Sequence, residues 1–192
     1  GQCMNCHYAN RGNPEQYLVH VRGKHGATMV HNRDKDTYLN TKTNKTCGSC
    51  TYGYWHPEGK YCAFSLNKAK QNFYTGNKKI IEPWDLASDI VVLDIEKNEL
   101  IRSSLLEGEA FQTTPAFSAD GKTIYFCAAD SKKMPAEYEQ VKYNLCTISF
   151  DAATGKFGDK VDTLVNARLM DKSIGLPRPS YDGKFLIYCL VD

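Results

Sequence analysis

The chain carries Cys3-Met4-Asn5-Cys6-His7 near its start, two thiols three residues apart with an imidazole directly behind the second. That spacing matches the covalent attachment site of a c-type haem. The two thiols would reach two vinyl groups on one porphyrin edge, and His7 would supply the proximal nitrogen to iron. A sixth iron ligand would then come from His20, His25, His31, Met4 or Met29. His20 is the first choice because it falls on a predicted strand that holds it still; the bland alternative is an ordinary strand histidine facing solvent.

A second pair, Cys47 and Cys50, has the same spacing without the histidine. Together the four cysteines offer the tetrahedral thiolate set that zinc favours. However, the stretch between the pairs is long and strand-bearing, whereas common zinc ribbons separate them by about 15–20 residues. Zinc is therefore the weaker cofactor reading beside haem. A third reading is two local disulfides, Cys3–Cys6 and Cys47–Cys50, which suit an oxidising compartment. A thioredoxin-like pair does not fit, since no βαβ unit surrounds it. The other cysteines, Cys62, Cys127, Cys146 and Cys189, stand in apolar, strand-like surroundings and read as buried free thiols. No G-x-S-x-G elbow, Walker loop or H-E-x-x-H is present. Tyr52, Tyr54 and Trp55 form an aromatic group that either lines a channel and binds a sugar or packs between sheets.

The elements that must position these residues repeat. His56-Pro57-Glu58-Gly59-Lys60-Tyr61 recurs as Ser118-Ala119-Asp120-Gly121-Lys122-Thr123 and as Ser180-Tyr181-Asp182-Gly183-Lys184-Phe185, so the three glycines stand 62 residues apart. A fixed period means one supersecondary unit used several times, each copy relying on its neighbours for burial. Each phrase is a tight turn between two short apolar strands, with Gly where a positive φ is needed. Asp89–Asp94 and Leu100–Leu105 read as the third and fourth strands of the first unit. Asn144–Phe150 and Val161–Val165 take the same places in the second. Four antiparallel strands per unit is the blade of a β-propeller. The period exceeds the ordinary 40 to 45 residues, and two polar insertions, 68–88 and 131–142, account for the excess. Equivalent positions place both insertions on one face of the disc, the better face for a partner. Before these units, 17–22, 27–31 and 37–41 predict a three-stranded meander, and 1–16 reads as loop.

The phrases Trp55–Lys60, Pro115–Lys122 and Pro179–Lys184 resemble the recurring motif of TolB-like, WD-repeat-like propellers. His56 and Glu58 depart from it in the first copy and Tyr181 in the third. The resemblance spans roughly 50–192 and implies an exported bacterial protein, periplasmic in setting, that serves as a binding platform or stands beside a hydrolase. The Cys-x-x-Cys-His leader is similar to that found ahead of propeller repeats in some exported bacterial proteins, and Val19-His20-Val21-Arg22-Gly23 fits that pattern.

The fold expected is thus all-β, a partial propeller of about three 62-residue repeats. A cysteine/histidine leader occupies 1–16, a partial blade 17–49, and repeats 50–111, 112–173 and an incomplete 174–192. A formal net charge of +2, with both signs scattered, makes no electrostatic case for nucleic acid or an anionic membrane. No apolar run approaches the roughly 20 residues of a bilayer span. Gly1 reads as a cleavage scar, and the chain as part of a larger repeat protein. Two functions follow: a non-catalytic module binding a protein, peptide or glycan, or a c-type electron carrier with haem on Cys3 and Cys6.

Overall fold

Side chains alternate across a strand, so a sheet whose strands are apolar on both sides must be covered on both faces. Residues 61–66, apolar but for Ser65, and 90–93 are of this kind, and the computed structural model shows both of their faces buried. It describes residues 3–22, 26–41, 45–73, 76 and 81–192, with the backbone alone at 3, 5, 71–73, 81 and 82.

Fourteen strands make four antiparallel sheets among the described residues. The first holds β1 (Cys3–Ala9), β2 (Gln16–Arg22), β3 (Ala27–Asn32) and β4 (Lys35–Leu39), and the second β5 (Ser49–Trp55), β6 (Tyr61–Phe73), β7 (Ile81–Asp94) and β8 (Glu99–Ile101). In the third are β9 (Phe111–Phe117), β10 (Thr123–Ala129), β11 (Asn144–Asp151) and β12 (Lys156–Val165). β13 (Ser173–Pro179) and β14 (Leu186–Val191) begin the fourth. Strands pair in sequence order, and the first strands of neighbouring sheets lie side by side. The architecture is a partial β-propeller of four-stranded blades, as the repeats predict.

The core lies between blades. Cys62, Phe64, Leu66, Val91 and Leu93 of blade 2 meet Leu18 and Val30 of blade 1. From the same two strands, Tyr61, Ala63, Ile90 and Val92 turn the other way onto Phe117, Ile124, Phe126 and Ile148 of blade 3. A full side chain of this size contributes about 1.5–3 kcal/mol on burial, and none of it is available to an isolated blade.

The repeated turn has a hydrogen-bonding reason. Ser118 Oγ accepts from the Thr123 amide at 3.0 Å and donates to Asp120 Oδ1 at 2.6 Å, while Asp120 Oδ1 accepts from the Lys122 amide at 3.1 Å. Ser180, Asp182, Lys184 and Phe185 repeat this set. In blade 2 His56 takes the serine's place, and its Nδ1 accepts from the Glu58 amide at 3.2 Å. The ring is buried edge-on against Tyr61 and Phe117. It lies directly under Gly121, so the turn of blade 3 is seated on the substituted residue of blade 2.

Several expectations change. The leader is not loop: residues 3–9 pair with β2, and with 17–41 they complete a full first blade rather than a partial one. A bulge between Asn5 and Tyr8 breaks the alternation that marks a strand, which hides it from a period-two reading. The insertion at 68–88 is largely a two-stranded arm, because β6 and β7 stay paired out to Phe73 and Ile81. The strand expected over 100–105 ends at Ile101, and Arg102 instead forks onto Glu107 at 2.6 and 2.9 Å in the following turn. Cys62, Cys127 and Cys146 are buried as expected, but Cys189 is exposed on β14, which pairs with β13 alone among the described residues. The turn expected over Gly23–Gly26 lies mostly outside the described residues.

Gly121 has φ +73°, and a Cβ there would overlap the His56 ring. Gly121→Ala is therefore expected to lower stability by about 2 kcal/mol or more, the left-handed penalty plus the clash. Urea unfolding of wild type and variant checks it, and an unchanged midpoint would contradict the packing described.

Candidate functional site

The elements meet in a cleft of about 740 Å³ between blades 1 and 2. Its walls are the ends of β2 and β3, the segment joining β4 to β5, and the part of the β6–β7 arm nearest the sheet. It opens on the face that carries the second-to-third-strand connections, the face that the sequence singled out for a partner. Most of the lining is polar and uncharged. Thr28, Thr41, Thr46, Ser49 and Thr51 supply hydroxyls, and Asn40 and Asn67 supply amides.

Tyr52 stands at this cleft for a backbone reason. It has φ +46°, in the middle of β5, at a bulge between Thr51 and Tyr54. Cys6, Thr114 and Leu176 hold the same left-handed conformation in β1, β9 and β13, at φ 49°, 53° and 53°. Tyr52, Thr114 and Leu176 are 62 residues apart, so the bulge belongs to the repeat. Such a conformation costs a non-glycine residue about 1–2 kcal/mol, and it re-aims one side chain per inner strand. Tyr52 is exposed, whereas Thr51 and Gly53 on either side of it are buried.

Beside Tyr52 sits Asp85, the one carboxylate among the described residues lining the cleft. Its Oδ2 accepts from Asn67 Nδ2 at 2.9 Å. Asn67 Oδ1 in turn accepts from Thr51 Oγ1 at 2.6 Å, and Asn67 Nδ2 lies 3.4 Å from Thr113 Oγ1 of blade 3. Burial raises the Asp85 carboxyl above the ordinary range, against the lowering effect of Asn67. The Tyr52 phenol is raised first by burial and then by the Asp85 charge, as is Tyr143 just before β11. None of Asp85, Asn67 and Tyr143 stands out in the sequence. The legible trace of the site is that Asp85 falls within the insertion 68–88.

Of the residues singled out by sequence, the cleft gathers His20, Cys47, Cys50 and Tyr52. His20 is buried, with Nδ1 2.9 Å from Thr28 Oγ1, rather than on a solvent face. Cys47 and Cys50 are free thiols, so the expected disulfide is not formed. Cys47 Sγ donates to the Leu66 carbonyl at 2.9 Å, while Cys50 turns into the blade 1–2 core. Burial, with Asp89 beside Cys47, pushes that thiol up to about 12, and burial pushes Cys50 to about 12. Protonated thiols of this kind are poor zinc ligands and poor nucleophiles. The aromatic group divides: Trp55 is core, its Nε1 donating to the Tyr8 carbonyl at 3.1 Å. Tyr54 stacks on Tyr8 and lies under Arg178.

Cys3 and Cys6 both lie on β1, and Cys6 has φ 49° at the bulge between Asn5 and Tyr8. Cys6 is half-buried and His7 exposed, and neither lines the cleft that His20 lines. His31 is held by Asp36 at 2.7 Å and stacked on Tyr17. Met4 is exposed on β1 and Met29 half-buried on β3. His25 and the Cys3 side chain lie outside the described residues. Among the described residues no three His, Cys, Asp or Glu side chains are grouped to hold a metal ion.

No protein-family model and no curated protein matches the chain. Solved structures do. A protein assigned as TolB from Agrobacterium tumefaciens superposes with TM-score 0.62 at 16% identity, over 98% of this chain and 54% of that one. The tricorn protease gives TM-score 0.48 at 12% identity, over 96% of this chain and 24% of its own. An oligogalacturonate lyase solved with manganese gives 0.47 at 13%, over 97% and 44%. The first likeness is one of fold, that of a TolB-like propeller, and the chain spans about half of that protein's length.

Two outcomes follow for this site. Because the folded carboxyl of Asp85 is raised, its ionisation opposes folding at neutral pH, and the penalty fades as pH falls through the raised value towards about 3.9. Asp85→Asn should therefore melt higher than wild type at pH 7, by roughly 1–3 °C, with the gap closing at pH 4 and below. Scanning calorimetry across pH reads this. A lower melting temperature at pH 7 would contradict the raised carboxyl. With thiols near 12, about one molecule in 10⁴ is thiolate at pH 8. Iodoacetamide should accordingly label exposed Cys189 well before Cys47 or Cys50, as read by peptide mass spectrometry.

Proposed function

We propose that the chain is a binding module, built as part of a β-propeller, that receives a protein, peptide or glycan segment in the cleft between blades 1 and 2. The observation that carries this reading is the cleft itself. It is of ligand size and rich in hydroxyl and amide donors, and a strained backbone turns one aromatic ring out into it. A few fixed polar groups around an aromatic platform are what orient a bound ligand. Among its described residues the lining carries one carboxylate, Asp85, and two thiols, Cys47 and Cys50, that burial raises. These features favour a non-catalytic role, and the TolB-like fold favours an exported location. No helix among the described residues is long and apolar enough to cross a membrane.

The electron-carrier alternative rests on Cys3, Cys6 and His7, which share β1. Co-expression with haem-ligation machinery, followed by a pyridine haemochrome spectrum, separates the two readings: bound haem supports the carrier, and a colourless product of unmodified mass beside a maturing control cytochrome removes it.

Ala69 is exposed on β6 and lines the cleft, so Ala69→Trp fills it without touching the core. Peptide and glycan arrays probed with wild type and this variant test the proposal. Ligands of the wild type should bind the variant at least about tenfold more weakly at an unchanged melting temperature. Ligands retained equally by both proteins, or arrays on which the wild type binds nothing, would overturn the assignment of the cleft.

A further inference from the structure

We propose that the ligand of this cleft presents an ammonium group to Asp85, a step that rests on the cleft being the binding site. The carboxylate is preorganised. Thr51 orients the Asn67 amide at 2.6 Å, and Asn67 holds Asp85 Oδ2 at 2.9 Å. Thr51 and Asn67 are each 9% exposed, so this support is buried and rigid. No cation pairs with Asp85 among the described residues. Among the described residues the hydrogen bond to this part-buried carboxylate comes from a neutral donor, Asn67, which compensates a charge poorly. If its role were only to receive the Asn67 hydrogen bond, an asparagine would serve without the charge. The partner assigned to it here is a positive charge brought by the ligand.

Geometry narrows the class. Asn67 takes one lone pair of Oδ2, which leaves Oδ1 the more open oxygen. A single open oxygen suits a compact point charge with separate N–H donors, an alkylammonium, better than a guanidinium fork, which draws on both oxygens equally. A hard divalent ion prefers several carboxylate oxygens, and the described lining supplies one carboxylate. The exposed Tyr52 ring on the same wall adds the electron-rich surface over which ammonium groups settle.

The charged and titratable groups around Asp85 agree with this. Arg22 on β2 has a partner of its own. Lys68 on β6 is exposed, where solvent and salt screen it. Tyr52 and Tyr143, whose phenols its charge raises, are weak acids, as are Cys47 and Cys50 on the lining, and His20 is buried against Thr28. Binding should therefore weaken as pH falls through the Asp85 ionisation, which lies above that of an ordinary carboxylate.

The test is a ¹⁵N-resolved NMR titration of the 192-residue chain with Nα-acetyl-lysine methylamide, its norleucine counterpart and n-butylammonium chloride. The lysine derivative should shift the amides of Tyr52, Asn67 and Asp85 and bind at least about tenfold more tightly than norleucine. Asp85→Asn, with its fold checked by melting, should remove that preference, as should a fall in pH from 7 to 4. If butylammonium binds as tightly as the lysine derivative, the site takes a free amine; weaker binding points to a lysine side chain within a peptide. Equal affinity for norleucine, or an Asp85→Asn protein that keeps the preference, overturns the proposal. An array ligand blocked by Ala69→Trp but indifferent to Asp85→Asn would leave the cleft as a binding site and remove the ammonium alone.

Discussion

Burial on both faces of every central strand is the constraint from which the rest of this structure follows. Strands β6 and β7 direct alternate side chains to blade 1 and to blade 3, so neither face of blade 2 tolerates water. The blades have no separate cores, and the hydrophobic term belongs to the interfaces between them. Fixing those interfaces also fixes where the first strands run, side by side towards a common axis. Every functional placement described here inherits its position from that packing.

Within this frame the protein departs from regular β geometry at one recurring place. Each inner strand carries a left-handed residue, Cys6, Tyr52, Thr114 or Leu176, at an equivalent bulge. The conformational cost is repaid by the surrounding ladder, which pairs on either side of the break. The same bulge yields four different results. In blade 2 it turns a tyrosine out to the cleft, in blade 3 it buries a threonine, and in blade 4 it exposes a leucine. In blade 1 it interrupts Cys3–His7, so a motif that reads as haem chemistry is part of an inner strand.

The turns show the opposite behaviour, local chemistry that tertiary packing then uses. Ser-x-Asp-Gly-Lys closes a hairpin by hydrogen bonds within itself, in the same way at 118–122 and 180–184. Where the serine is replaced by His56, the hairpin still closes, and the larger ring becomes the seat for Gly121 of the next blade. Gly59 is seated likewise against Gln16 of the blade before it. Arg11 extends the pattern, donating to the Ala119 carbonyl and lying over the Tyr181 ring.

The repeat period, the antiparallel blades, the turns and the two-faced strands were all legible in the residues alone, because each depends on contacts a few positions apart: alternation, a glycine at positive φ, a short hydrogen-bonded hairpin. The first blade was only partly visible, since its inner strand is interrupted by a bulge and its connection between second and third strands is short. The cleft was hardly visible at all. His20 is bonded to Thr28 and Cys50 packs in the core, while Asp85 looked like an ordinary residue of the insertion and Asn67 like the end of a strand. Which of them face a common space depends on how one blade settles against the next. That contact joins side chains distant in sequence, and no local pattern encodes it.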